Sequence, residues 1–238
     1  MMWVLWMILM GSPSETRSMV VERMGLNTSF AGWMLVTENV LTIGERETRR
    51  TSVETVDVHR PRWTQGPESA PRIKGFDGTT AWTSSVAESL KAVPQDEQSR
   101  VQNALRTWRQ YLLVLLLDAH QKPVPLPEAE GRLGFRLLSP EDGSISADVY
   151  LVDGLPGEVR YYGRPDPSGD QRISTNHYSD YRSVEGRLVP FQIRVSDSYM
   201  ERAGWTISLT VKVRSWTFFD TLADVDFSQA EPALPQKE

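Results

Sequence analysis

Ser179-Asp180-Tyr181-Arg182-Ser183-Val184-Glu185-Gly186-Arg187-Leu188-Val189-Pro190-Phe191-Gln192-Ile193 reads as two strands joined at a turn. On the second arm Val189, Phe191 and Ile193, with Val195 beyond, alternate with Pro190, Gln192 and Arg194. A period of two puts the first set on an apolar face and the second in water. Gly186 turns the chain. Asp180 and Arg182 stand two apart, on one face of their strand, where they pair weakly. Pro190 lacks a ladder donor, which predicts an edge strand or a strand entry. Nothing in the stretch is a catalytic constellation.

The same alternation spreads to both sides of the hairpin. Leu133, Phe135 and Leu137 follow it, as do Ile145, Ala147, Val149 and Leu151, and then Ile207, Leu209, Val211 and Val213. Earlier, Trp33 and Leu35 begin a run that reaches Ile43, and Arg46 to His59 reads as a strand with one solvated face. Pro61 to Pro71 reads as a loop, and Arg72 to Trp82 as strand, turn and strand about Asp77-Gly78, whose residues supply positive φ. Short links such as Glu141-Asp142-Gly143 and Asp153-Gly154 make the sheet antiparallel and meandering.

Helices are few. Glu97 to Ala119 carries Val101, Leu105, Trp108, Leu112 and Leu115 on one face, becomes apolar on all sides from Tyr111, and meets Pro123, Pro125 and Pro127. Glu15 to Asn27 reads as a shorter helix, with Ser14 or Thr16 as its cap. A long sheet cannot leave its apolar face wet. The expected fold is therefore α+β, an unclosed antiparallel β half-barrel wrapped around one or two helices.

The bulk numbers agree with a soluble globular chain. There are 238 residues, 39% apolar and 24% charged, and no cysteine, which excludes disulfides, thiolate metal sites and acylation at an N-terminal cysteine. A net charge of −5 gives a phosphate backbone no attraction, so no nucleic-acid partner is expected. Met2 to Met10 is an unbroken apolar run, too short to span a bilayer, followed by Gly11-Ser12-Pro13-Ser14. Residues 1–14 are read as a signal peptide or apolar N-terminal segment, 15–232 as a single domain and 233–238 as a frayed tail.

With these pieces in view, the Ser179 to Ile193 hairpin resembles the hallmark hairpin of the LolA-like superfamily, periplasmic proteins related to the outer-membrane lipoprotein carrier. Gly75-Phe76-Asp77-Gly78-Thr79-Thr80-Ala81-Trp82 is similar to a turn of that family. Val149 to Val159 resembles one of its hairpins and Phe218 to Phe227 its closing segment. The resemblance covers about Trp33 to Pro232. It implies a half-cone-shaped open barrel with helices plugging the opening, and a cavity that holds acyl chains in the carrier itself. The family's lid-latching arginine is not placed by any motif here; Arg46, Arg49 and Arg50 lie in the early strand region.

Catalytic motifs are lacking in the sequence. His59, His120 and His177 have no metal-ligand spacing, and there is no nucleophile elbow, P-loop or dinucleotide fingerprint. No enzyme activity, metal or cofactor is expected. The leading expectation is a monomeric periplasmic carrier or chaperone for lipoprotein, lipid or other hydrophobic cargo. The alternative is a non-catalytic envelope interaction or regulatory module on the same fold. Period and apolarity nominate Leu35, Trp82, Leu112, Leu116, Phe135, Phe191 and Leu209 as the cargo lining. Trp33, Trp82, Trp108, Trp205 and Trp216 either add to that lining or complete the core.

Overall fold

The computed structural model describes residues 11–68, 72–83, 96–127, 132–165, 170–197 and 207–228. The apolar run Met2–Met10, Trp205 and the tail 233–238 lie outside them. The strands are β1 (Gly32–Ile43), β2 (Arg46–Asp57), β3 (Trp63–Pro67), β4 (Lys74–Phe76), β5 (Ala81–Thr83), β6 (Lys122–Val124), β7 (Gly134–Leu138), β8 (Ile145–Val152), β9 (Leu155–Pro165), β10 (Gln171–Val184), β11 (Arg187–Asp197) and β12 (Ile207–Phe219). The helices are α1 (Pro13–Arg23), α2 (Glu97–Arg109) and α3 (Leu112–Leu117).

The strands form one antiparallel sheet in the order β5-β4-β3-β2-β1-β12-β11-β10-β9-β8-β7-β6. Its first and last strands do not pair, so the sheet is unclosed, as the alternation predicts. Almost every step is a hairpin or short link. Asp153-Gly154 (φ 51° and 73°) and Glu185-Gly186 (φ 50° and 78°) both adopt the left-handed pair that matches strand twist in a tight hairpin. At the third expected turn only Gly78 has positive φ (106°), because Asp77 instead accepts the Thr79 and Thr80 amides at 2.8 and 2.7 Å.

Chain contacts divide into two compact units. One comprises Met1–Ser29, Thr37–Arg50 and Leu115–Arg214; the other comprises Phe30–Val36, Thr51–Val114 and Ser215–Glu238. In the first, α1 packs on β6, β7 and β9. It starts two residues earlier than expected. Ser12 is the cap, exchanging bonds with Glu15, and Pro13 occupies the first turn, where its missing N–H costs nothing. Both residues fall within the segment 1–14 that the sequence reads as a signal peptide or apolar N-terminal segment. In the second, α2 packs on β4 and β5 and is capped by Asp96, which accepts from the Ser99 amide at 2.9 Å.

Three local expectations change. The single helix from Glu97 to Ala119 is two: α2 ends at Gln110, whose N–H bonds back to the Arg106 and Thr107 carbonyls, and α3 resumes at Leu112. The Pro61–Pro71 loop contains β3, because Trp63 to Pro67 fill the ladder between β2 and β4 despite weak strand propensity. Pro190 is not on an edge. β11 lies between β10 and β12, and its register with β12 begins at Gln192, so the proline stands outside that ladder.

Candidate cargo-binding site

Alternation gives β7, β8 and β9 a common apolar row: Phe135, Leu137, Ala147, Val149 and Val159 are all fully buried. Val20 of α1 and Met24 and Leu26 beyond it are buried as well. Arg17 holds α1 in place. Its Nε donates to the Leu116 carbonyl at 2.9 Å, Nη1 to Gln121 at 3.0 Å and Nη2 to Asp118 at 2.7 Å. These carbonyls lie at and beyond the C-terminus of α3, where helix geometry leaves acceptors without partners. Burial pulls the Arg17 pKa below its ordinary value, with Asp118 opposing the shift. Arg46, Arg49 and Arg50 are exposed instead, and Arg49 pairs with Glu47 and Glu38. Arg17 thus reaches the end of α3 from the N-terminal helix, a contact that its sequence context does not announce.

Next along the sheet, the row changes character. Tyr161 and Tyr178 hydroxyls meet at 2.9 Å in the interior, and Asn176 Nδ2 donates to Tyr178 at 3.2 Å. Burial raises both phenol pKa values, so the pair stays neutral. Tyr181 is likewise raised by burial and donates to the Pro156 carbonyl at 2.7 Å. Beyond them the register aligns Tyr178 with Ile193 and Ile193 with Val211, and Val195 with Leu209. Parity adds Phe191 to the same face of β11. Phe191, Ile193, Val195, Leu209 and Val211 are all only half-buried. The apolar face is closed over β7–β9 and partly open over β11 and β12.

The second unit has a dense aromatic interior. Trp63 Nε1 donates to the Ala104 carbonyl at 3.1 Å and Trp108 Nε1 to Asp57 at 2.7 Å, which ties α2 to β2 and β3. Trp82 Nε1 donates to Phe227 at 2.9 Å. Trp33 stacks edge-on against Tyr111 at 6.0 Å, and Phe30 against Phe218 at 5.2 Å. Glu54 enters this interior from β2, hydrogen-bonded to Gln65 and Tyr111. Burial raises its carboxyl pKa, with Lys74 and the two hydrogen bonds opposing the shift.

Of the seven nominated lining residues, Leu35, Trp82 and Leu112 are buried in the second unit, and Leu116 and Phe135 in the first. Phe191 and Leu209 are half-buried on the open part of the first unit's sheet. Ile193, Val195 and Val211 share their face but were not nominated; the alternation that selects Phe191 and Leu209 selects them equally. Trp33, Trp82 and Trp108 are core residues, and Trp216 is half-buried beside Trp33.

The histidines stay apart. His59 Nε2 lies 3.1 Å from the Phe30 carbonyl, His120 is exposed, and His177 Nδ1 lies 3.7 Å from Glu158. Among the described residues no group of three or more His, Asp or Glu is placed to hold a metal ion, and no helix is long and apolar enough to cross a membrane.

No family model and no curated protein matches the sequence. Solved structures do match. A LolA superfamily protein from Nitrosomonas europaea superposes with a TM-score of 0.56 at 11% identity, covering 92% of this chain and 99% of that one. A DUF1329 family protein from Desulfovibrio piger gives 0.54 at 11% identity, covering 92% and 98%. Identity this low speaks for the fold alone, and on that the unclosed sheet, its helices and the two likenesses agree: the chain has the LolA-like fold.

Proposed function

We propose that the protein is a non-enzymatic carrier or chaperone of the bacterial periplasm that binds lipidated or otherwise hydrophobic cargo. One observation carries this reading. On a single apolar sheet face, Phe135, Leu137, Ala147, Val149 and Val159 are sealed, whereas Phe191, Ile193, Val195, Leu209 and Val211 keep access to solvent. A contiguous apolar strip left accessible on one face is the kind of surface that marks an interaction site. Of the residues nominated from sequence, Phe191 and Leu209 are the ones that would touch cargo, and Ile193, Val195 and Val211 extend the surface. Affinity would come from covered acyl area, at about 0.8 kcal/mol per buried CH₂. The periplasmic assignment rests on the fold likeness and on the apolar run at Met2 to Met10. Native mass spectrometry of protein purified from an envelope fraction without detergent is the direct test. The expected result is bound lipid or acylated peptide. Bare protein that also fails to take up a fluorescent fatty acid would overturn the proposal.

A further inference from the structure

The opposite face of the same strands carries a different surface. The register places His177 of β10 opposite Arg194 of β11, and Arg194 opposite Thr210 of β12. One step along, Ser179 faces Gln192, and Gln192 faces Lys212. His177, Ser179, Gln192, Arg194, Val195, Ser196 and Ser208 line an open depression of about 310 Å³. Every side chain there except Val195 brings a hydrogen-bond donor, and none is a carboxylate.

The chain as a whole carries a net charge of −5. Several arginines elsewhere on the sheet are matched with acids: Arg132 and Arg160 with Glu158, Arg136 with Asp148, Arg172 with Asp197, Arg182 with Asp180. Arg194 and Lys212 make no ion pair among the described residues, nor do Ser179, Gln192, Ser196 or Ser208 make a side-chain hydrogen bond there. Glu158 lies 3.7 Å from His177 and is itself paired with Arg132 and Arg160. A guanidinium backed by an imidazole, an amide and three hydroxyls suits a tetrahedral oxyanion, which accepts several donors at once.

We infer that this groove is a phosphate-ester site centred on Arg194, on the sheet face opposite the aliphatic strip and independent of cargo binding there. Arg194 pairs with the phosphate, Lys212 adds charge at the rim, and the serines and Gln192 orient its oxygens. The phosphate belongs either to a soluble ester or to an anionic lipid headgroup. The test titrates the full chain with glycerol 3-phosphate by calorimetry, and in parallel with phosphatidylglycerol vesicles against phosphatidylcholine vesicles by flotation. Saturable binding is expected in at least one arm, weakened tenfold or more by Arg194→Ala and unchanged by Arg182→Ala, whose arginine is already paired. Response to glycerol 3-phosphate identifies the ester itself as sufficient; response to the anionic vesicles alone identifies the lipid headgroup. Arg194→Lys should recover part of the affinity, and near-ultraviolet circular dichroism checks that each variant is folded. No saturable binding in either arm, equal loss on Arg182→Ala, or binding of an acidic peptide with no response to phosphate would overturn the inference.

Discussion

One side chain in each unit lends itself to a direct test. Arg17 supplies three donors to carbonyls at the end of α3. Arg17→Met keeps the aliphatic stem but leaves those acceptors unmet, and should destabilise the fold by about 2–3 kcal/mol in urea unfolding. A change within error would mean that water replaces the guanidinium at no cost. Glu54 acts through pH. Burial raises its folded-state pKa above the ordinary 4.5, so the folded chain binds this proton more tightly than the unfolded chain does. Its contribution to stability is therefore full below about the ordinary value and falls as pH rises through the folded-state value. Glu54→Gln removes that slope. Unfolding measured at pH 4 and pH 7.5 should show the variant gaining on the wild type at the higher pH; the reverse trend would contradict the assignment.

The β10–β11 hairpin shows why its sequence is so restrictive. Its turn needs left-handed φ at Glu185 and Gly186, and the chain leaving α1 then crosses it. The Leu188 amide donates to the Met24 carbonyl at 2.9 Å, and a Cβ on Gly25 would run into the Gly186 carbonyl oxygen. Gly25 itself has φ 68°. Gly25→Ala therefore combines left-handed strain of about 1–2 kcal/mol with a backbone clash, and its thermal midpoint should fall by several degrees. Gly44→Ala is the control: it has similar φ (57°) but no atom within 4 Å of the added carbon, so it should show the smaller loss. The Asp180–Arg182 pair, bonded at 3.0 and 2.6 Å, is exposed and belongs with weak surface pairs. The hairpin turn is thus a docking point for the N-terminal helix segment, which accounts for the restriction at Glu185 and Gly186.

Across the first unit, the contrast between sealed and open rows predicts a separation of phenotypes. Phe135→Ala should cost about 3–5 kcal/mol, as expected for an aromatic side chain removed from a closed core. Leu209→Asn should leave the unfolding midpoint nearly unchanged while lowering uptake of a fluorescent fatty acid several-fold. If both variants lose stability together, the open row is core and the cargo proposal fails. Strict alternation along β7–β12 was enough to establish an antiparallel sheet with one apolar face, because side-chain direction in a strand is set locally by the backbone. The unclosed sheet and the presence of helices against it followed from that pattern and from the resemblance carried by Ser179 to Ile193. The cap expected at Ser14 or Thr16 is Ser12 instead, with Pro13 in the first turn. The sequence could not say which stretch of the apolar face is covered. Phe135 and Leu209 have the same local pattern, and they differ only because α1, anchored by Arg17 through residues about a hundred positions away, packs on β6, β7 and β9. Nor could it show that Arg17 meets carbonyls at the end of α3 while Arg194 makes no ion pair among the described residues, since pairing between distant strands and helices decides which charges meet.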